Sequence, residues 1–236
     1  MAPVFVLIHS PLVGPATWAP VADELTRRGH AVAVPSLLSV GQGEPPAWSR
    51  VTAAVVDALA DLPAEQAVWL VAHSNAGRFV PVVRAAVGRP VAGAVFVDAR
   101  LPAEQGVSAL AEPEFLEFLT GLAGPDGRLP QWTDWWGDAD LTPLFPDDET
   151  RRVVTVEQPR LPLSYFAQTV PVPDGWPDHP CVYLLFGPAY AAQADQALAR
   201  GWPVRHVPGE HLHQIVAPVR VAEELISIAS MVGHDR

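Results

Sequence analysis

The chain has 236 residues, of which 49% are hydrophobic and 17% are charged, and its formal net charge at pH 7 is −11. Its length suits one large α/β domain or two small ones, and its negative charge argues against nucleic acid or an anionic membrane as a partner. Cys181 is the only cysteine, so an intrachain disulfide is excluded and we expect a cytoplasmic protein.

Strand and helix patterns alternate over the first hundred residues. The first apolar run stops at His9, which is too short for a signal peptide or a membrane span, and we expect it to be the first strand of the fold. The predicted elements are strands over Val4–Ile8, Ala31–Val34, Val68–Ala72 and Val91–Val97, and helices over Trp18–Arg28, Val51–Leu62 and Asn75–Val87. This alternation implies right-handed crossovers and an α/β fold with a mostly parallel sheet and helices on both faces.

The composition changes after Ala99. The segment Leu101–Pro180 holds 12 of the 26 prolines and four of the eight tryptophans, and its strand periodicity is lost. The α/β pattern then returns as strands over Cys181–Phe186 and Val204–Val207 and helices over Ala191–Arg200 and Val219–Met231. We therefore predict one α/β core, residues 1–100 and 181–236, with residues 101–180 inserted as a cap.

The run Val68–Gly77 is the most informative stretch for function. A buried strand enters a turn of small residues with Ser74 at its centre, and a helical pattern follows. This is the layout of a nucleophile elbow, whose tightness requires small residues two before and two after the nucleophile, here Ala72 and Ala76. The turn places Ser74 at the start of a helix, where backbone N–H groups favour nearby negative charge. The pattern predicts a serine nucleophile.

Three further segments accompany the elbow in the chain. Phe5–Gly14, with Trp18, resembles a His-Gly oxyanion loop; Ala94–Pro102 looks like a strand leading into a cap; and Val207–Pro218 is similar to a histidine loop before a last helix. With these four matches in order, the whole chain resembles the α/β-hydrolase family, most closely its short methylesterase and hydroxynitrile lyase branch. The resemblance implies the α/β-hydrolase fold and a serine-nucleophile enzyme.

A serine hydroxyl is a poor nucleophile at neutral pH and needs a base. Among the eight histidines, His211 matches the family's catalytic histidine by its place in a Gly-x-His loop seven residues before Pro218. His213 is the nearby alternative, with hydrogen bonding inside the loop as its simpler interpretation. By the same resemblance, His9 and His73 brace the loops around the nucleophile.

The acid that orients the base departs from the family pattern. The family usually places it in a Gly-x-x-Asp sequence after the strand at Cys181–Phe186, but here the fourth residue is Tyr190, and the next carboxylate, Asp195, falls inside a predicted helix. Some haloalkane dehalogenases and lipases instead place the acid after the strand that follows the elbow helix. Asp98 occupies that place and keeps the order Ser, Asp, His. An acidic residue at a strand end can also be purely structural, and both interpretations stay open here.

The oxyanion hole is a second departure. One donor should be the backbone N–H of Asn75, directly after the nucleophile. The residue that normally supplies the other donor is Pro11, which has no N–H. Leu12 N–H or the Ser10 hydroxyl could take its place; otherwise the site has one donor.

Three cap tryptophans, Trp132, Trp135 and Trp136, are candidates for the wall of a pocket that binds a hydrophobic substrate, although each could equally anchor the cap to the sheet. His211 and His213 stand too close in sequence to ligate a metal from one helix face, and no third ligand is evident. We expect no metal and no cofactor.

These observations predict a hydrolase that uses Ser74, His211 and Asp98 on an ester or lactone of a hydrophobic small molecule. A lyase or cyclase with the same residues, acting by proton transfer, is the first alternative. A ligand-binding relative without activity is the second, against which the pairing of Ser74 with His211 argues. A serine nucleophile disfavours epoxide hydrolysis and dehalogenation.

Overall fold

The computed structural model describes residues 3–176 and 179–232. The strands are β1 (Val4–Ile8), β2 (Val32–Ala33), β3 (Val68–His73), β4 (Val91–Val97), β5 (Gly106–Ala109), β6 (Thr169–Val172), β7 (Cys181–Leu185) and β8 (Val204–His206). The helices are α1 (Ala19–Arg27), α2 (Ala47–Ala58), α3 (Val80–Ala86), α4 (Pro113–Leu122), α5 (Asp138–Leu141), α6 (Asp148–Glu157), α7 (Leu163–Phe166), α8 (Ala191–Ala199), α9 (His213–Val216) and α10 (Pro218–Val232). Residues 1–2 and 233–236 of the predicted core, with His234, and residues 177–178 of the predicted cap lie outside the described residues.

Six strands form one parallel sheet in the order β2-β1-β3-β4-β7-β8, which confirms the predicted mostly parallel α/β architecture. The central strands β1, β3 and β4 end almost level: Ile8 pairs with Ala72, and Ala72 pairs with Phe96. In open parallel sheets, ligands bind beyond the carboxyl ends of the strands. The segments that follow β1, β3 and β4 therefore meet at the edge where a site is expected.

Helices cover both faces of the sheet, and the strand side chains alternate between two apolar cores. Phe5 and Leu7 of β1 face α1 and α10, whereas Val4, Val6 and Ile8 face the side of α2, α3 and α8. Burial on both faces explains why β1, β3 and β4 have nearly continuous apolar sequences instead of the alternation of a half-exposed strand.

Some predicted boundaries are wrong. The helix predicted over Val51–Leu62 begins at Ala47 and ends at Ala58, and Leu62, which precedes a proline, is disfavoured in helical geometry. The helix predicted over Asn75–Val87 starts as a 3-10 helix over Ser74–Phe79 before α3 begins.

The cap contains two strands that its sequence did not reveal. β5 pairs antiparallel with β6, so the beginning and the end of the insertion are hydrogen-bonded to each other. Each strand has four residues, and a proline, Pro171, lies inside β6, so neither carries a clear strand pattern. Trp176 is buried at the base of the cap, where its indole N–H donates to the carbonyl oxygen of Ala103 and its ring packs on Phe96 of β4. Trp176 thus fastens the cap to the sheet.

Helices in the described ranges, of which α10 is the longest, include none that is both long and apolar enough to cross a membrane.

Candidate active site

Ser74 follows β3 directly and has a φ of 58°, in the left-handed region that L-residues rarely occupy. Ala72 and Ala76 on either side of it are fully buried, as the tight turn requires. A Cβ atom on Gly77 would lie 2.2 Å from the carbonyl oxygen of Arg100, so glycine is needed for the elbow to approach the segment after β4. The elbow holds Ser74 at the carboxyl end of the sheet.

His211 lies between β8 and α9 and contacts both Ser74 and Asp98. Its Nε2 is 3.0 Å from Ser74 Oγ, and its Nδ1 is 3.0 Å from Asp98 Oδ2. When Nδ1–H donates to the carboxylate, Nε2 is left to accept the hydrogen of the Ser74 hydroxyl. His73 Nε2 donates to the carbonyl oxygen of His211 at 2.9 Å and fixes the loop. The geometry is that of a serine with an oriented base; the catalytic roles of the three residues stay predictions.

Asp98 directly follows β4 and has an unusual backbone conformation. Its φ is 42°, its side chain is fully buried, and its Oδ1 accepts the N–H of Phe186 at 2.8 Å while Oδ2 contacts His211. Asp195, the other carboxylate considered, is exposed on α8. Of the two acids, Asp98 is the one in hydrogen-bond contact with His211.

Tyr190 belongs to the site, although the sequence drew attention to it only because it stands where the family usually has an acid. It lies after β7, with its hydroxyl 3.3 Å from Ser74 Oγ and its ring stacked on the His211 imidazole at 4.7 Å between centroids and 5° between planes. Because Ser74 gives its hydrogen to His211, the phenol is the donor to Ser74 Oγ. Burial raises the pKa of Tyr190, against the opposing effects of the hydrogen bond to Ser74 and the charge of Arg100, so the hydroxyl keeps its proton at neutral pH.

The loop after β1 forms the opposite side of the site. Leu12 N–H donates to Ser10 Oγ at 3.3 Å, and Ser10 itself is buried. Ser10, Leu12, Ser74 and His211 border a small cavity of about 10 Å³. That volume is about what one water-sized group needs.

Asn75, directly after the nucleophile, is held by the cap through both ends of its amide. Its Nδ2 donates to the carbonyl oxygen of Leu110 at 3.0 Å, and its Oδ1 accepts the hydroxyl of Tyr165 at 3.1 Å. Both partners belong to the cap, between β5 and α4 and in α7 respectively. The side chain is therefore occupied, and only the backbone N–H of Asn75 is a candidate donor to a substrate.

A cavity of about 310 Å³ opens over Ser74 and His211. Its apolar wall is largely aromatic and includes Phe115, Trp132, Trp135, Trp136 and Leu144. All three tryptophans named from the sequence therefore line the cavity. Trp132 and Trp135 are nearly buried and Trp136 is 41% exposed. Three charged side chains, Arg100, Asp140 and Glu210, also border the cavity.

The two histidines beside the elbow are uncharged supports. Leu37 N–H donates to His9 Nε2, which leaves Nδ1 to donate to the carbonyl oxygen of Ser10. Burial lowers the pKa of His9 to about 4 and lowers the pKa of His73 well below its usual value, with the charge of His211 as a second cause for His73. Both imidazoles are therefore neutral at pH 7 and hold the loops after β1 and β8.

His213 lies away from the cavity, with its ring against Phe186 at 5.6 Å, and burial lowers its pKa. A Cβ atom on Gly209 would clash with this ring, so the close packing of His213 also depends on that glycine. Among residues 3–176 and 179–232, no three His, Cys, Asp or Glu side chains are grouped so that they could hold a metal ion.

A family model described as "Alpha/beta hydrolase family" matches residues 5–224 of the chain. No curated protein matches the sequence.

Several solved structures share the fold over nearly the whole chain. An extracellular alpha/beta-hydrolase from a Paenibacillus species, described as sharing structural and functional homology with tobacco salicylic acid binding protein 2, is 20% identical with a TM-score of 0.74, covering 96% of this chain and 98% of its own. Tomato methylketone synthase I, complexed with β-ketoheptanoate, is 16% identical with a TM-score of 0.75, covering 98% of each chain. Polyneuridine aldehyde esterase is 15% identical with a TM-score of 0.74, covering 97% of this chain and 100% of its own. At these identities the likeness establishes the fold alone.

Proposed function

The chain belongs to the alpha/beta hydrolase family and is an enzyme of the hydrolase type, and from this premise we propose that it hydrolyses an ester or lactone of a hydrophobic small molecule with Ser74 as nucleophile. One observation carries the proposal: His211 is in hydrogen-bond contact with both neighbours, through Nε2 with Ser74 Oγ at 3.0 Å and through Nδ1 with Asp98 Oδ2 at 3.0 Å. A serine that merely fills a turn needs neither partner.

The proposed reaction has two halves. His211 Nε2 takes the Ser74 proton as Oγ bonds to the substrate carbonyl carbon, and Asp98 stabilises the imidazolium. The tetrahedral intermediate then collapses to an acyl-enzyme as His211 gives the proton to the leaving oxygen. Water, deprotonated by His211, then attacks the acyl carbon; the bond from this carbon to Ser74 Oγ breaks, His211 returns the proton to Oγ, and the acid is released.

For the oxyanion we propose the small cavity bordered by Ser10, Leu12 and Ser74, with the backbone N–H of Asn75 as one donor. Ser10 Oγ already accepts Leu12 N–H, so its own hydrogen remains available to a substrate oxygen. A second donor from Ser10 would replace the one that Pro11 lacks; such a donor is worth roughly 3 kcal/mol of transition-state stabilisation.

The cavity supports a small apolar substrate. Its volume of about 310 Å³ lies at the lower end of the range for small-molecule sites, and Trp132, Trp135 and Trp136 provide flat apolar surface. We further propose that the enzyme acts in the cytoplasm, without nucleic acid, membrane or cofactor as a partner; the net charge of −11 supports the first of these exclusions.

The nucleophile is tested by covalent labelling. We expect a fluorophosphonate to modify Ser74 in the wild-type protein, and Ser74→Ala to lose both labelling and hydrolysis of p-nitrophenyl acetate. Ser49→Ala, which changes a partly exposed serine of α2 outside the cavity, is the control and should behave as wild type. Full hydrolysis by Ser74→Ala would remove the nucleophile from the proposal.

A lyase or cyclase acting by proton transfer is the second candidate, and Tyr190 favours it. Its phenol and the His211 imidazole both reach Ser74 Oγ, so the site has two groups that can move protons. Under this alternative, Ser74→Ala would lose labelling but would still exchange the acidic α-hydrogen of a bound ketone with solvent deuterium.

A further inference from the structure

Arg100 is a cation in the wall of the catalytic cavity that the proposed reaction does not use. Of the described residues that line the cavity, it is the one arginine or lysine. Its neighbour Arg78 pairs with Glu112 at 2.6 Å, and Arg200 pairs with Glu104 at 3.4 Å. Among the described residues, no carboxylate forms an ion pair with Arg100.

Aromatic rings hold the guanidinium of Arg100 in place. Its central carbon lies 5.5 Å from the ring centre of Tyr190 and 6.0 Å from that of Phe115, both of which also line the cavity. Stacking of this kind orients the planar group and satisfies part of its charge, and some of its five N–H donors face the Tyr190 hydroxyl. The half-buried guanidinium therefore keeps donors for a molecule in the cavity.

The backbone of Arg100 is tied to the nucleophile. Its N–H donates to the carbonyl oxygen of Ser74 at 3.0 Å, and Gly77 lets the elbow pack against its carbonyl oxygen. Asp98 lies two residues earlier in the same segment. The backbone from which the guanidinium extends is thus fixed relative to the Ser74 hydroxyl, and the stacked rings then limit where the guanidinium lies, which is what a group that orients a substrate needs.

We propose that Arg100 binds a carboxylate of the substrate while the scissile carbonyl lies at Ser74. This rests on the proposed function and narrows it to esters or lactones that carry a carboxylate on an otherwise apolar body. Arginine suits this role because its planar donors match the two oxygens of a carboxylate. Asp140 and Glu210 also border the cavity, but both are exposed, and solvent screens their charge.

A pair of substrates that differ in one charge tests the inference. The mono-p-nitrophenyl ester of glutaric acid is an anion, and p-nitrophenyl pentanoate is a neutral ester with an acyl chain of the same length. We expect Arg100→Met to lower kcat/KM for the glutarate ester about 10- to 100-fold more than it lowers kcat/KM for the pentanoate ester, the range for a lost charge-assisted hydrogen bond. Arg100→Lys should recover part of the loss.

Arg152→Met is the matched control because it removes one positive charge from an exposed side chain of α6, outside the cavity. Equal effects of Arg100→Met on the two esters would overturn the inference while leaving hydrolysis by Ser74 intact.

If no ester is hydrolysed, a binding measurement distinguishes the proposed carboxylate site from the proposed hydrolysis. In a Ser74→Ala background, monomethyl glutarate is titrated by calorimetry with and without Arg100→Met. Binding that weakens at least tenfold without the arginine supports the carboxylate site even if the hydrolase proposal fails. Binding that is absent, or that does not depend on Arg100, overturns the carboxylate site.

Discussion

The carboxyl ends of β4 and β7 are neighbours in the sheet, but they serve the candidate site differently. Asp98 at the end of β4 contacts His211 through a carboxylate, whereas Tyr190, on the loop after β7, contacts it through a stacked ring. The two ends are also bonded to each other, because Asp98 N–H donates to Leu184 and Asp98 Oδ1 accepts from Phe186. Adjacent parallel strands deliver side chains to one edge of the sheet, so residues after either strand can lie against the same His211 imidazole.

The largest effect on kcat should come from a substitution at the end of β4. Asp98→Asn is expected to lower kcat about 10⁴-fold, because the amide no longer holds the imidazole in the required tautomer. Asparagine tolerates a positive φ, so the backbone at 42° should survive. Steady-state hydrolysis of p-nitrophenyl acetate measures the loss.

Asp195→Asn, on the exposed side of α8, is the control and should leave kcat unchanged. The opposite ranking of the two variants would return the orienting acid to the region after β7.

Moving the acid from the end of β4 to the loop after β7 should restore part of the activity that is lost when Asp98 is replaced. In an Asp98→Gly background, which also tolerates the positive φ, Tyr190→Asp is expected to raise kcat roughly 10- to 100-fold, the worth of a hydrogen bond to a charged group. Tyr190→Asp alone measures the cost of losing the ring. If the double variant is no faster than Asp98→Gly, the ends of β4 and β7 are not interchangeable.

The smallest effect should come from the Tyr190 hydroxyl. Tyr190→Phe keeps the stacked ring and removes one neutral hydrogen bond to Ser74, so kcat/KM should fall about three- to tenfold. Tyr190→Leu also removes the stacking on His211 and should cost more. Equal kinetics in the two variants would show that the ring has no orienting role.

Local patterns predicted the sheet and the elbow well. Continuous apolar runs locate β1, β3, β4 and β7 because both faces of a parallel sheet are buried. Ser74 could be predicted because its turn allows only small neighbours, and His211 because of its place in a loop resembling that of a known family. Asp98 was expected near His211 from an alternative acid position known for the fold, once Tyr190 stood where the usual acid was expected; the contact is present, and its role as the orienting acid stays a prediction.

Other features depend on contacts between distant parts of the chain and have no local signature. Arg100 lies in a segment that the sequence indicates only as the connection to the cap. Its proposed role depends on its place in the cavity wall, next to Phe115 of α4 and Tyr190 of the loop after β7. The pairing of β5 with β6 joins segments about sixty residues apart in the chain. The engagement of Leu12 N–H by Ser10 depends on the exact turn after β1, which Pro11 alone did not determine.

The two hydrogen bonds between the cap and the Asn75 side chain limit how the cap can change during evolution. A residue next to the nucleophile takes both of its amide partners, Leu110 and Tyr165, from the inserted segment. Exchanging the inserted segment for a relative's cap would therefore replace much of the cavity wall and, in the same step, leave the buried Asn75 amide beside Ser74 without its two partners. Transplants that keep a carbonyl and a phenol at those two places should stay active, whereas sequence drift elsewhere in the cap is free to reshape the cavity.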